Sequence, residues 1–153
     1  MQNIISIAAL AFSSVAFATT WEIDPAHASA QFTVKHLMVT NVTGTLGEVS
    51  GKVELDDKDV TKSTVMASID VKGINTKNQK RDDHLRSKDF FDAEKFPAIT
   101  FKSTKVEKVS DTKLKVTGDL SMHGITKAVT LDAELTGEVV NPFSKVPPRA
   151  VSA

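Results

Sequence analysis

The chain has no cysteine and no tyrosine, and it has one tryptophan among 153 residues. Without cysteine there is no disulfide framework, no thiolate nucleophile and no Cys-type zinc site. Such a protein, if exported, rests on its hydrophobic core alone. Charge of one sign is also missing: 19 Lys and Arg balance 19 Asp and Glu. A nucleic-acid binder needs a basic face, and an anionic membrane surface attracts one, so neither is the expected main partner. There is no Gly/Ser linker, no internal repeat and no second composition regime. The length fits one domain. No G-x-S-x-G elbow, P-loop or dinucleotide fingerprint occurs.

What is present is period-2 alternation. Val49, Gly51, Val53 and Leu55 alternate with polar residues, as do Val65, Ala67, Ile69 and Val71. The pattern returns in Leu114, Val116, Gly118, Leu120 and Met122, and again in Ile125, Val129, Leu131, Ala133 and Leu135. Ala28, Ala30, Phe32 and Val34 form an earlier run. Each run puts one face on an apolar interior and one in water. Val109–Thr112 and Met122–Gly124 read as hairpin turns. Several such runs indicate a sandwich or a barrel. Small inward residues and few aromatics favour a barrel with room inside. Roughly eight strands enclose either packed side chains or one ligand.

One segment departs from this pattern. Lys77–Asp89 is dense in charge, and Phe90, Phe91 and Phe96 follow it directly. Gln79–Phe91 reads as a single short helix, ended by Pro97 and followed by a strand over Ile99–Val106. Arg81, His84 and Arg86, with Asp82 between them, could clamp an anionic head group, because guanidinium forks suit phosphate. The competing reading is a salt-bridged helix: Asp82 with Arg86, and Arg81 with Asp83 or a neighbouring strand. Phe32, Val34, Val53, Ile69, Phe90, Phe91, Phe101, Leu120 and Leu131 are the candidates for lining an apolar tail site. The histidines His27, His36, His84 and His123 show no metal spacing. Asp24 and His27 read as a turn cap. No catalytic residue, metal site or cofactor is expected.

Both ends carry signals. Residues 1–18 are apolar and uncharged, with Ile4–Phe17 as a hydrophobic core and Ala16–Ala18 as an A-x-A cleavage site. This reads as a secretory signal peptide, leaving a single domain over residues 19–153. Arg149–Ala153 reads as the opening of a strand, after an unusual lead-in at Ser144–Pro148. The barrel is therefore expected to be incomplete at the C-terminus, with open edges that invite pairing.

Together the motifs are similar to those of the YceI-like family. The residues that carry the resemblance begin with Asp24, His27, Phe32, Lys35-His36, Gly44, Gly51 and Ile74-Asn75-Thr76. They continue through Arg81-Asp82, His84-Leu85, Ser87, Phe90-Phe91-Asp92, Phe96-Pro97, Thr100-Phe101 and Ser103. Gly118-Asp119-Leu120, His123-Gly124 and Thr126 complete them. The resemblance runs from about Trp21 to the C-terminus. It implies a periplasmic, lipocalin-like antiparallel β-barrel that binds a polyisoprenoid, an isoprenoid quinone or a fatty amide, for storage, transport or protection. It leaves room for a membrane redox protein as a partner and for a homodimer. An enzyme acting on an isoprenoid-like substrate and a non-binding stress or structural protein are the alternatives.

Overall fold

A computed structural model describes residues 18–36, 39–138 and 149–152. Most of the expected signal peptide, the lead-in at Ser144–Pro148 and the His36 side chain lie outside the described residues. The strands are β1 (Ala18–Glu22), β2 (Gln31–His36), β3 (Thr40–Thr45), β4 (Val49–Asp56), β5 (Thr64–Asp70), β6 (Ala98–Lys108), β7 (Lys113–Met122), β8 (Ile125–Glu138) and β9 (Arg149–Ser152). One helix, α1 (Gln79–Arg86), joins β5 to β6, and a 3-10 turn at Val60–Lys62 joins β4 to β5.

Seven strands form one antiparallel sheet in the order β1-β4-β5-β6-β7-β8-β9, while β2 and β3 form a separate hairpin. The fold is the antiparallel β architecture that the alternation predicts, with one short helix, and it is lipocalin-like as the resemblance implies. Among the described residues the sheet does not close into a hydrogen-bonded ring.

Residues opposite one another in an antiparallel pair share a face. The register therefore traces one apolar face across the sheet. Trp21 lies opposite Val53, and Val53 opposite Val65. Ile69 faces Ile99, Phe101 faces Leu120, and Gly118 faces Val129. Two buried clusters sit on this face. Phe101, Val106, Leu114, Val116 and Ala133 form the first; Val71, Ala93 and Ile99 form the second; half-buried Leu120 packs against both.

Two local devices keep the face continuous. Strict alternation from Phe101 would turn Val106 outward. A bulge between Ser103 and Lys105 inserts Thr104, and Val106 then pairs with Val116 on the apolar side. Gly118 is covered by the Phe101 ring: a Cβ there would stand 2.6 Å from its Cζ and 2.4 Å from the Lys102 carbonyl. The close approach requires glycine.

The helix is shorter than the charge pattern suggests. It ends at Arg86, and turns carry the chain through Phe91. Ser87 stops it, because its N–H and its hydroxyl both donate to the His84 carbonyl. The Asp92 N–H then donates to Ser87, with Asp92 at φ 46°, and the chain turns back toward the sheet.

Candidate functional site

The charged helix makes a closed corner. Asn78 caps α1 by accepting from the Arg81 N–H at 3.2 Å. The buried Asp82 carboxylate accepts from the Thr76 N–H at 2.8 Å and from the Thr76 hydroxyl at 2.5 Å. Arg81 donates through Nε to the Thr76 hydroxyl oxygen at 2.7 Å and through Nη2 to the Thr76 carbonyl at 2.9 Å. Arg86 donates to the Ile74 carbonyl at 3.0 Å and to Asp83 at 2.7 Å. That second contact and the bond from Gln79 hold the Asp83 carboxyl below its usual range. Both guanidiniums thus tie down the loop between β5 and α1. Arg86 pairs with Asp83, whereas Asp82 serves Thr76.

The corner also holds the β2–β3 hairpin. Thr45 and Asn75 exchange backbone hydrogen bonds of 2.9 Å in both directions. Phe32 lies opposite Gly44, and a Cβ on that glycine would meet the Phe32 ring at 2.5 Å and the Thr76 methyl at 2.8 Å. Phe32 is therefore packed into the corner, while Val34, next on the same face of β2, is 52% exposed.

A hollow of about 340 Å³ opens beside the β7–β8 turn, at the same end of the sheet as the corner. Phe90 and Phe91 form one flank; Leu120, Met122, Ile125 and Val129 form the other. Large apolar groups stay uncovered here: Phe90 is 49% exposed, Met122 41% and Ile125 59%. The β7–β8 turn frames the hollow. His123 and Gly124 both take positive φ, 52° and 74°, which suits a two-residue hairpin connection between Met122 and Ile125. Phe96 holds the turn, meeting the His123 ring edge to face at 5.2 Å.

His84 sits between corner and hollow. Its ring meets Phe90 edge to face at 4.8 Å, and its Nε2 lies 3.4 Å from Asp89. Of the apolar candidates, the structure brings Phe90, Phe91 and Leu120 together at the hollow. Phe101 is buried in the first cluster, Ile69 packs on the second, and Val53 is half-buried beside Trp21. Leu131 is 38% exposed further along β8.

Sequence reasoning missed five lining residues: Met122, His123, Ile125, Lys127 and Val129. Met122 and Ile125 were legible as inward positions but not as uncovered ones. Lys127 occupies an inward position of β8, opposite Leu120, a charged residue on an otherwise apolar run. Among the described residues, no cluster of three His, Asp or Glu could hold a metal, and no helix is long and apolar enough to cross a membrane.

Residues 21–150 match the YceI-like domain. A UPF0312 protein of Vibrio parahaemolyticus is 42% identical over 118 residues, 77% of this chain and 62% of the relative. A UPF0312 protein of Staphylococcus aureus is 42% identical over 125 residues, 82% of this chain and 70% of the relative. The chain thus spans about 62% of the length of the Vibrio relatives it matches. Among solved structures, the YceI protein of Campylobacter jejuni is similar at 37% identity with a TM-score of 0.63, over 78% of this chain and 70% of that one. BcnA of Burkholderia cenocepacia shares the fold, with a TM-score of 0.71 at 24% identity, over 77% of this chain and 74% of that one.

Proposed function

The chain belongs to the YceI-like family, and we propose from that premise that it is a binding protein for an amphiphile with a long apolar tail. A polyisoprenoid, an isoprenoid quinone or a fatty amide fits the reading, and no catalytic role is part of it. The observation that carries it is the uncovered apolar hollow at the β7–β8 end, continuous with the buried face of the sheet. Exposed groups such as Met122, Ile125 and Phe90 stay in water unless something apolar covers them.

Energetics favour a tail as the cover. Burying about twenty carbons contributes on the order of 15 kcal/mol gross at ~0.8 per methylene. Association and ordering consume much of this. Affinity of about micromolar still follows with little demand on the head group. The hollow is at the small end for ligand pockets. It holds one part of such a tail, and the remainder runs along the apolar face.

Residues 1–18 act as the export signal in this reading, and the binding domain works in the periplasm. The guanidiniums of Arg81 and Arg86, with Asp82, shape the rim, and His84 is the member of that group nearest the tail. Homodimers and a membrane redox partner are compatible with this role. The test is native mass spectrometry of the purified protein with extraction of what it carries. A co-purifying long-chain lipid that re-binds the stripped protein is expected. A stripped protein that takes up neither a polyprenol nor a long-chain amide would refute the proposal.

A further inference from the structure

We propose that Lys127 reads the head group, and that the preferred ligand carries a single negative charge, a carboxylate on an alkyl or isoprenoid chain. This rests on the tail-binding reading above, keeps its apolar tail and replaces the neutral head groups named there with an acidic one.

Lys127 pairs with Leu120, and its strand neighbours on the same face are Ile125 and Val129. A lysine at an apolar position of a strand is unfavourable unless its ammonium reaches water or an anion. Lys115, on the opposite face, has Asp132 at 2.9 Å. Lys127 has no carboxylate within ion-pair distance among the described residues, and it lines the hollow beside His123. Its four-carbon stem can lie along the tail while the ammonium meets the head.

Charge matching sets the head. A pyrophosphate calls for bidentate guanidinium forks. The guanidiniums nearby already donate to the Thr76 and Ile74 carbonyls. One ammonium and one imidazole at the hollow match a monoanion instead. A carboxylate accepting a hydrogen bond from the ammonium is the charge-assisted kind, about twice as strong as a neutral one.

The test uses the full chain stripped of lipid, titrated with laurate, dodecanol, dodecyl phosphate and dodecylamine below their micellar ranges. Their shared tail isolates the head. Wild type should bind laurate most tightly. Lys127→Met should weaken laurate roughly tenfold and leave dodecanol unchanged. Lys127→Glu should reverse the preference toward dodecylamine, and Lys115→Met should change nothing. Equal affinity of wild type for laurate and dodecanol would overturn the inference and leave tail binding standing. So would an equal loss of both ligands in Lys127→Met. Dodecyl phosphate bound more tightly than laurate would overturn the monoanion assignment. A wild type that binds none of the ligands overturns this inference and the tail-binding reading together.

Discussion

Around Thr76 charge turns inward to protein, and around Lys127 it stands beside bare hydrocarbon. At the first place, Asp82 is only 6% exposed yet holds both the N–H and the hydroxyl of Thr76, while Arg81 closes the same threonine from the other side. At the second, Met122 and Ile125 are uncovered and the nearest cation points onto an apolar face. The contrast separates two jobs that look alike in a sequence. Dense charge on a short helix can be scaffold, with its donors consumed by backbone carbonyls. A sparse charge among aliphatic residues is placed for something outside the chain. Stability should therefore be sensitive at the corner and binding sensitive at the hollow.

The largest expected effect breaks the corner. Asp82→Ala leaves the buried Thr76 donors unsatisfied and should cost about 3 kcal/mol of stability, read from urea midpoints at unchanged m-value. A loss below about 0.5 kcal/mol would mean that the network does not hold the loop. Next is Gly118→Ala, on the buried face further along β7. The added methyl meets the Phe101 ring and a backbone carbonyl, and only the ring can give way. About 2 kcal/mol is expected, read by thermal unfolding.

Met122→Asp sharpens the other side of the comparison. It places a carboxylate at the hollow, where the side chain is 41% exposed. Stability should hold, while affinity for a neutral long-chain alcohol falls roughly tenfold. Equal binding by this variant would move the tail away from β7. The smallest effect lies outside both regions. Asp56 accepts from the Asp59 and Lys58 N–H groups, which lower its carboxyl from the ordinary value of 3.8. A lowered folded-state value means that the stabilisation is present above about pH 4. It is lost as the pH falls through the folded-state value. Stability of wild type should therefore drop slightly more than that of Asp56→Ala as pH falls from about 4 to 2. Parallel curves would contradict the turn-holding role.

Much of this architecture was legible in the residues. Alternation places the face through Val53, Ile69, Phe101 and Leu120, and Gln79 and Pro97 bracket the helical connection. The rest depends on information that period-2 patterning does not hold. Thr104 bulges out next to Ser103, whose hydroxyl accepts the Val65 N–H of the neighbouring strand at 2.8 Å, a long-range bond. The Thr76–Asp82 pair joins a loop to a helix and shows no sequence period. Ser87 ends α1 early through bonds to one carbonyl. Lys127 is the instructive case. Its position follows from counting in twos from Ile125 to Val129, yet a charged residue there reads as an interruption unless the face is followed through it.

The position of the bound tail separates the hollow from every other surface of the sheet. An alkyl diazirine probe, bound to the stripped protein, illuminated and mapped by peptide mass spectrometry, reports that position directly. Crosslinks should gather on Leu120–Val129 of the β7–β8 hairpin and on Phe90 and Phe91. Crosslinks confined to the loop at Thr76 and to helix α1, or spread over the outward face at Lys115 and Asp132, would contradict it.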